Sequence, residues 1–253
     1  MMFDRYIRKK IEESGYDHIF GDTVPLFADK DIVLGNLEGP ITSFPSVSLG
    51  SSRDDEDYFR FTFPKETAHE LAERNIRYVS IDNDHIMNFG NEGLIQTRNA
   101  LQDAEVLSAG DPERSTGYSV TINKAYIGIV SYNQFLGDSD TETIEAIKSL
   151  RPSVDFLIVF AHWGDEFIEE PNNKQQDLAH MFADAGAGLV VGTHPHVIQP
   201  KETYKDTLIY YSLGNFISDQ YVREPTRCGA VLFFNLLRSE EHTSELQSPC
   251  NLV

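Results

Sequence analysis

The sequence predicts an α/β fold, a layered sandwich of mixed sheets flanked by helices, on three observations. Strand and helix patterns alternate along the 253 residues, as they do in proteins built on a mostly parallel sheet. Residues 155–160, Asp-Phe-Leu-Ile-Val-Phe, form a near-continuous apolar run, which is typical of strands covered on both faces. Asn123 and Lys124 separate two further apolar runs and predict a hairpin, so part of the sheet is expected to be antiparallel.

The first half of the chain predicts short strands between helices. One segment is expected to be helical because Ala68, Leu71 and Ala72 fall on one helical face. The segment 43–57 is rich in Ser, Asp and Gly, which favours a loop. In chain order, the predicted elements are a helix and a loop within residues 1–30, a strand at 31–34, a loop at 43–57, a helix at 65–74, a strand at 78–81 and a helix at 92–102.

The second half predicts the hairpin and most of the larger sheet. A helix that ends at Gly186 places Leu178, Met181, Phe182 and Ala185 on its inner stripe. In chain order, the predicted elements are hairpin strands at 118–122 and 125–131, a helix at 141–150, a strand at 155–160, a helix at 173–185 and strands at 188–191, 208–213 and 230–234.

The end of the chain is set apart from the rest. Residues 238–253 read RSEEHTSELQSPCNLV, which resembles the in-frame translation of a common sequencing adapter. We interpret this segment as a non-native tail; the alternative is a native polar tail. His242 is therefore set aside as a ligand, and Cys228 is the cysteine that remains. No internal repeat or linker is visible, so residues 1–237 are expected to form one domain.

Charge and composition exclude one class of partner. The formal net charge is −19, whereas affinity for nucleic acid comes mostly from Lys and Arg, so no nucleic-acid partner is expected. The hydrophobic share of 40% and the charged share of 24% are ordinary for a globular protein. No apolar run approaches the roughly 20 residues of a membrane span, and no signal-peptide pattern opens the chain. The location of the protein is left open.

The most specific local motif is the segment 192–196, Gly-Thr-His-Pro-His, which directly follows an apolar run. His194 and His196 are one residue apart in a predicted loop at a strand end, where their rings can converge on one ion. The alternative is a polar loop with two incidental histidines.

Polar clusters follow several predicted strands. Carboxylates, amide oxygens and imidazoles suit a hard-to-borderline metal pair rather than a thiolate site. Open α/β sheets build their sites at the carboxyl ends of strands, and two metals about 3.5–4 Å apart can clamp a phosphoryl or carbonyl group. The four clusters are Asn36 with Glu38, Asn83 with Asp84 and His85, His162 alone, and His194 with His196.

Five segments resemble, in order, the motifs of the capsule-synthesis protein family CapA. The resemblance runs from about residue 16 to residue 235 and implies a calcineurin-like metallophosphoesterase fold linked to poly-γ-glutamate capsule synthesis. The segments are Asn-Leu-Glu-Gly-Pro-Ile-Thr at 36–42, Asn-Asp-His at 83–85 with Gly90 and Gly93, His-Trp-Gly-Asp-Glu at 162–166, Gly-Thr-His-Pro-His-Val-Ile-Gln-Pro at 192–200 and Tyr-Ser-Leu-Gly-Asn-Phe at 211–216.

The resemblance also implies roles for single residues. His85 would stabilise or protonate a leaving oxygen. Ser212 and Asn215 would line the edge of the site, and Asn36 would support it. The implied metal-site residues are Glu38, Asn83, His162, His194 and His196. The metals would be divalent ions, two in the full-length protein, with Mn, Fe and Zn as candidates.

Several residues keep a second interpretation. Asp165 and Glu166 follow His162, and either orient it or lie in a solvated loop. Trp163 either packs in the core or forms a wall of the site.

The chain departs from the family pattern at three places. The family's first strand ends in a Gly-Asp pair that supplies a metal carboxylate. The pair at 21–22 follows no apolar strand and is interpreted as a turn, so the first strand is expected to be missing. Asp84 stands where the family usually has asparagine, and as a supporting residue its side chain would partly restore the lost carboxylate. Asn88 stands where the family usually has aspartate. The family is often membrane-anchored or exported through an N-terminal segment.

The motifs and the family resemblance leave two functions from different classes open. The first is a metal-dependent hydrolase of phosphoester or related acyl or amide bonds. The second is a non-catalytic metal-containing component of a capsule-polymer synthesis or export complex. Expected partners are an anionic polymer or phosphorylated small molecule, together with capsule-synthesis proteins. A metal that only stabilises the fold is a third, plainer alternative.

Overall fold

The computed structural model describes residues 1–112, 117–136, 140–221 and 223–236, and the predicted tail lies outside them. It confirms the predicted α/β class, with two sheets flanked by helices. The α-helices are α1 (Arg5–Ser14), α2 (Tyr16–Phe20), α3 (Thr67–Glu73), α4 (Gly90–Asp103), α5 (Asp140–Leu150) and α6 (Asn173–Ala185). The strands are β1 (Leu34–Asn36), β2 (Tyr78–Ser80), β3 (Leu107–Ala109), β4 (Gly117–Ile122), β5 (Ala125–Asn133), β6 (Phe156–His162), β7 (Leu189–Thr193), β8 (Lys201–Tyr204) and β9 (Thr207–Tyr210).

The two sheets combine parallel and antiparallel pairing, as predicted. The smaller sheet has the order β1-β2-β3 and is parallel throughout. The larger sheet has the order β4-β5-β6-β7-β9-β8, in which β5, β6, β7 and β9 are parallel and the two edge strands are antiparallel. Asn123 and Lys124 form the predicted hairpin turn with φ values of 49° and 70°, the left-handed pair that two-residue hairpins favour.

Helix α6 illustrates how local sequence fixes an element. Asn172 caps its N-terminus through a capping box with Gln175, and Gly186 ends it at a φ of 117°. Leu178 and Phe182 are buried against the larger sheet. Because α5 and α6 cover one face and the smaller sheet lies towards the other, β6 is buried almost throughout, which explains its continuous apolar run.

Two predicted strands differ from the structure. The first begins at Leu34 rather than residue 31, because Ile32 and Val33 pack against the core without joining a ladder. Residues 230–234 form no strand. Leu232 and Phe234 pack against the core, so their apolar pattern reflects burial rather than strand pairing.

Other differences concern the buried face of α6 and two short strands. Met181 was expected on the inner stripe of α6, but 40% of it is exposed because its position lies at the edge of that stripe. Strands β3 and β8 were not predicted. The first is three residues long, and the second is a polar edge strand with alternating exposure.

Two further sequence expectations concern the N-terminal part of the chain and the membrane. The Gly-Asp pair at 21–22 lies in the 3₁₀ helix Gly21–Leu26, with Asp22 exposed, as expected for a turn. The missing first strand stays a prediction. Within the described residues, no helix combines the length and apolar character that a membrane crossing requires.

Candidate metal centre

The predicted polar clusters come together where the carboxyl ends of strands from both sheets meet. Asn36 ends β1 in the smaller sheet, whereas His162 ends β6 in the larger one. The next strand, β7, ends at Thr193, which is the register partner of His162. Because these strands are parallel within each sheet, the loops that follow them share one edge.

The first group of possible metal ligands consists of Asp84, His162 and His194. Each offers one ligand atom, and these atoms lie within 4.8 Å of one another. His162 Nε2 is 2.9 Å from Asp84 Oδ1, while its Nδ1 is 2.9 Å from Thr193 Oγ1. Thr193 therefore orients the ring of His162, so that Nε2 faces the carboxylate. His162 is 2% exposed and His194 is 8% exposed.

The second group consists of Glu38, Asp84 and His85, whose ligand atoms also lie within 4.8 Å of one another. Asp84 Oδ2 is 3.6 Å from His85 Nε2. Asp84 belongs to both groups, and its two oxygens face different imidazoles.

His196 approaches the second group from the side. Its Nε2 is 3.3 Å from Glu38 Oε1 and 3.9 Å from Glu166 Oε1. Its Nδ1 is 2.9 Å from Asn215 Oδ1. Since an amide oxygen only accepts, Asn215 favours the tautomer with the proton on Nδ1 and leaves the Nε2 lone pair facing Glu38. The resemblance implied that Asn215 lines the edge of the site, and its contact with Nδ1 orients the ring of His196.

Asn83 is placed differently from the ligand role that the resemblance implied. Its Nδ2 donates to Asn36 Oδ1 at 3.1 Å and to the Leu37 carbonyl at 2.8 Å, and its Oδ1 accepts from the His85 amide at 3.2 Å. Asn36 Nδ2 in turn donates to Glu38 Oε2 at 3.0 Å. These hydrogen bonds connect the loop that follows β1 with the loop that follows β2, and they orient Glu38. The side chain in this turn that faces the histidines is that of Asp84.

The remaining predicted residues lie at the margin. Ser212 is buried, and its hydroxyl accepts from the Gly214 amide at 3.2 Å, so it shapes a turn. Asp165 is exposed and accepts from Asn172 Nδ2 at 2.8 Å, beside the start of α6. Asn88 Oδ1 lies 3.3 Å from His85 Nδ1 and so helps to hold that ring.

Three phenylalanines that sequence reasoning did not single out pack against the histidine rings. Phe61 lies 4.3 Å from His85, Phe135 lies 4.3 Å from His194, and Phe167 lies 6.0 Å from His196, all between ring centroids. They come from separate loops, so no spacing in the sequence indicates them. Thr193, which orients His162, was part of a quoted motif without a role of its own.

The backbone of the histidine motif is unusual. His194 has a φ of 95° and His196 a φ of 59°, a region that residues other than glycine seldom adopt. Each such residue costs about 1–3 kcal/mol and persists where the surroundings enforce it, often at functional sites. The turn around Pro195 thereby places both imidazoles at the carboxyl end of β7.

The electrostatics of the centre favour charged Asp84 and Glu38 carboxylates and a neutral His194 imidazole. Burial opposes ionisation of Asp84, but its hydrogen bond to His162 and the charges of the nearby histidines outweigh burial and lower its pKa. Burial also opposes ionisation of Glu38, while the charges of His196 and His162 lower its pKa. Burial, helped by the charge of His162, lowers the pKa of His194 from 6.5 to about 4.

The metal-free protein is therefore expected to lose stability as the pH falls from 6.5 to about 4. The folded pKa of His194 lies below its unfolded value, so the unfolded chain binds more protons in this window and acid favours unfolding. The groups that act on His194 are His162, Asp84, Glu38 and His196. The full shift corresponds to at most about 3.5 kcal/mol.

Urea unfolding of chelator-treated protein across this pH window measures the effect. The variant His194→Gln should show a flatter dependence, because glutamine does not titrate. An equally steep loss in that variant would assign the dependence to another group.

The donor set fits a divalent cation. Carboxylates and imidazoles together suit Mn, Fe or Zn. His194 Nδ1 is buried and has no hydrogen-bond partner among the described residues, which is costly unless something binds there.

The family model described as "Bacterial capsule synthesis protein PGA_cap" matches residues 1–220. The chain belongs to this family.

Two curated relatives support the same family. The chain is 32% identical to the PGA biosynthesis protein CapA of Bacillus subtilis (strain 168), over 94% of this chain and 66% of the relative. It is 27% identical to the capsule biosynthesis protein CapA of Bacillus anthracis, over 87% of this chain and 58% of the relative. The chain thus spans less than two thirds of the length of these relatives.

Among solved structures, the chain matches one from Staphylococcus aureus, a candidate 5′-nucleotidase in complex with α-ketoglutarate. The TM-score is 0.41 and the identity 13%, over 58% of this chain and 34% of that one. A likeness at this level bears on neither fold nor function.

Proposed function

We propose that this chain is a metallophosphoesterase-like hydrolase that acts in poly-γ-glutamate or related capsule biosynthesis. The observation that carries the proposal is the grouping of Asp84, His162 and His194 within 4.8 Å at the carboxyl ends of parallel strands. When bound there, a divalent ion would polarise a phosphoryl or carbonyl group and lower the pKa of water. Family membership and the names of the two Bacillus relatives support the biosynthetic setting.

His85 is the proposed general acid. The Phe61 ring packs against its imidazole, and Asn88 Oδ1 lies 3.3 Å from its Nδ1, so the ring has a fixed orientation. It lines the same cavity as His194 and His196. In this role His85 gives a proton to the leaving oxygen, and solvent restores that proton afterwards.

The cavity is large enough for part of a polymer. Its volume is about 1030 Å³, slightly above the roughly 300–1,000 Å³ of small-molecule sites, and it continues from the histidines as far as Ile127 and Phe234. Glu166 and Asn215 line it beside the histidines. On the basis of the family and its relatives, the proposed substrates are an anionic polymer or a phosphorylated small molecule, and the proposed partners are other capsule-synthesis proteins.

Turnover of an alkyl phosphodiester, whose alkoxide leaving group needs a proton, tests the proposal with protein loaded with Mn²⁺ or Zn²⁺. His85→Asn is expected to lower kcat by about 10²–10⁴-fold with little change in bound metal, since the general acid is lost. His180→Asn is the matched control, because His180 pairs with Glu202 at 2.9 Å in a partly exposed position outside both ligand groups. Equal turnover by wild type and His85→Asn would contradict the assignment of His85.

The second candidate function is a non-catalytic, metal-containing component that binds anionic polymer. The observation that favours it is Asn88, which faces His85 Nδ1 with a neutral amide oxygen. A carboxylate in that position would make the imidazole more basic and support proton transfer better.

The variant Asn88→Asp separates the two candidate functions. For a hydrolase, kcat is expected to rise by about tenfold, because a carboxylate partner strengthens the imidazole as a proton carrier. The measurement is phosphodiester turnover at equal metal content. Absence of turnover in both proteins, together with metal-dependent binding of poly-γ-glutamate, would favour the polymer-binding component.

A further inference from the structure

We propose that Arg5 is a substrate-binding residue, whose guanidinium holds an anionic group of the substrate beside the candidate metal centre. The group that it binds is an oxyanion, either a carboxylate or a phosphate. The inference rests on the proposed function, which makes the substrate anionic. It adds a residue that lies outside all of the sequence motifs, at the start of α1.

The guanidinium of Arg5 is held in a fixed position. The side chain is 6% exposed; its Nε donates to Asp219 Oδ2 at 3.1 Å, and its Nη2 donates to Asp219 Oδ1. Its Cζ lies 4.4 Å from the centroid of the Tyr58 ring and 4.9 Å from that of the Phe61 ring. A guanidinium that is already ordered in this way loses little conformational freedom when it binds a ligand.

One nitrogen of this guanidinium is left over for a ligand. The ion pair with Asp219 uses Nε and Nη2, and Nη1 forms no hydrogen bond within the described part of the chain. Arg74, which is 7% exposed, differs in that its guanidinium pairs with two carboxylates, those of Asp17 and Glu70. Arg5 lines the cavity that contains the histidines, whereas Arg74 does not. An oxyanion in the cavity would supply the acceptor that Nη1 lacks.

Arg5 lies next to the proposed general acid. The Phe61 ring that packs against the Arg5 guanidinium also packs against His85, with 4.3 Å between the ring centroids. Arg5 and His85 both line the cavity. A substrate with more than one anionic group could therefore place one group at the metal centre and a neighbouring group at Arg5.

The charge around the cavity explains why a fixed cation is needed there. The formal net charge of the chain is −19, and Glu38 and Glu166 line the cavity beside the histidines, so the surroundings repel an anionic substrate. Among the described residues that line it, Arg5 and Lys30 are the arginine and lysine side chains. Lys30 forms a solvent-accessible ion pair with the preceding residue at 2.6 Å. Arg5 is thus the cation that can offset this repulsion close to His85.

The experiment measures binding of two probes to the Mn²⁺-loaded full chain at equal metal content. A short, fluorescently labelled poly-γ-glutamate is titrated by anisotropy, and inorganic phosphate is titrated by calorimetry. Arg5→Gln is expected to raise the Kd of at least one probe about tenfold or more, because a charge-assisted hydrogen bond to an anion is lost. A loss confined to poly-γ-glutamate assigns the bound group to a carboxylate, and a loss confined to phosphate assigns it to a phosphate.

Two further variants separate binding from a structural role. Arg74→Gln is the matched control, since Arg74 is also buried and ion-paired and its Cζ lies 4.8 Å from the centroid of the Phe20 ring, away from the cavity. It is expected to lose stability in urea without a change in either Kd. Arg5→Lys keeps the charge but not the planar fork, so it should show a smaller loss of binding than Arg5→Gln. It also tests the proposal if circular dichroism shows that Arg5→Gln does not fold.

Three outcomes would overturn the proposal: wild-type affinity of the Arg5 variants for both probes, an equal loss of binding in Arg74→Gln, and a wild-type chain that binds neither probe. The first two would leave Arg5 with a structural ion pair alone. Binding that depends on Arg5 in a protein without phosphodiester turnover would support the proposal and count against the hydrolase alone. Substrate binding and catalysis are thus tested separately.

Discussion

The variant His194→Ala is expected to lower the affinity for Mn²⁺ or Zn²⁺ by about 100-fold or more, a larger loss than that from removing a group that only orients a ligand. His194 is buried, lies in the first ligand group and presents a nitrogen without a partner among the described residues. Isothermal titration calorimetry on chelator-treated protein measures the affinity, and circular dichroism checks the fold.

The matched control for this variant is His69→Ala. His69 is exposed on α3 and belongs to neither ligand group among the described residues. Its removal is expected to leave metal affinity unchanged. If His194→Ala bound metal as tightly as His69→Ala does, the histidine motif would have no part in metal binding.

His196→Ala is expected to have a smaller effect on the first equivalent of metal. His196 faces Glu38 at 3.3 Å and lies outside the group formed by Asp84, His162 and His194. A comparison of the two alanine variants, by the same calorimetric titration, therefore shows whether the neighbouring histidines serve one position or two. If both variants weakened binding of the first metal ion equally, both histidines would be assigned to the same metal position.

The sequence was sufficient to predict that these candidate ligands lie near one another at the carboxyl ends of strands. The apolar runs that become β6 and β7 are long and are followed directly by His162 and by the histidine motif. Their position at one sheet edge then follows from parallel pairing. Local pattern and a general rule of sheet architecture were enough, because each histidine adjoins the strand that places it.

The choice between Asn83 and Asp84 could not be predicted in the same way. These neighbours lie in one turn, and which side chain faces the histidines depends on contacts with a distant loop. Asn83 is held by Asn36 and by the Leu37 carbonyl, so Asp84 is the residue directed towards His162. Contacts between loops far apart in sequence leave no periodic signal.

The apolar segment at residues 230–234 shows a related limit. Its pattern suits a buried strand, yet Leu232 and Phe234 reach the core without ladder pairing. Hydrophobicity reports that a residue is buried, whereas strand formation also requires a partner with free backbone groups. The sequence of one segment does not specify that partner.

Trp163→Ala is expected to lower the free energy of unfolding by about 3–5 kcal/mol, the usual cost of removing a large buried aromatic side chain. Trp163 is fully buried, stacks on Phe182 with the ring centroids 6.2 Å apart, and donates from Nε1 to the Tyr211 carbonyl at 2.9 Å. This supports the packing interpretation of Trp163. The loss combines a cavity with a buried carbonyl that has lost its donor.

The measurement is urea unfolding of chelator-treated protein, because a bound metal would stabilise the folded state and hide part of the loss. Trp163→Phe retains most of the ring but not the donor, so it should cost less, about 1–3 kcal/mol. Tyr126→Ala is the surface control, since Tyr126 is half-exposed on β5 and its removal should cost about 0.5 kcal/mol or less. A loss below about 1 kcal/mol for Trp163→Ala would show that the core beneath His162 closes around the cavity. The end of β6 would then not depend on Trp163 to position the histidine that precedes it.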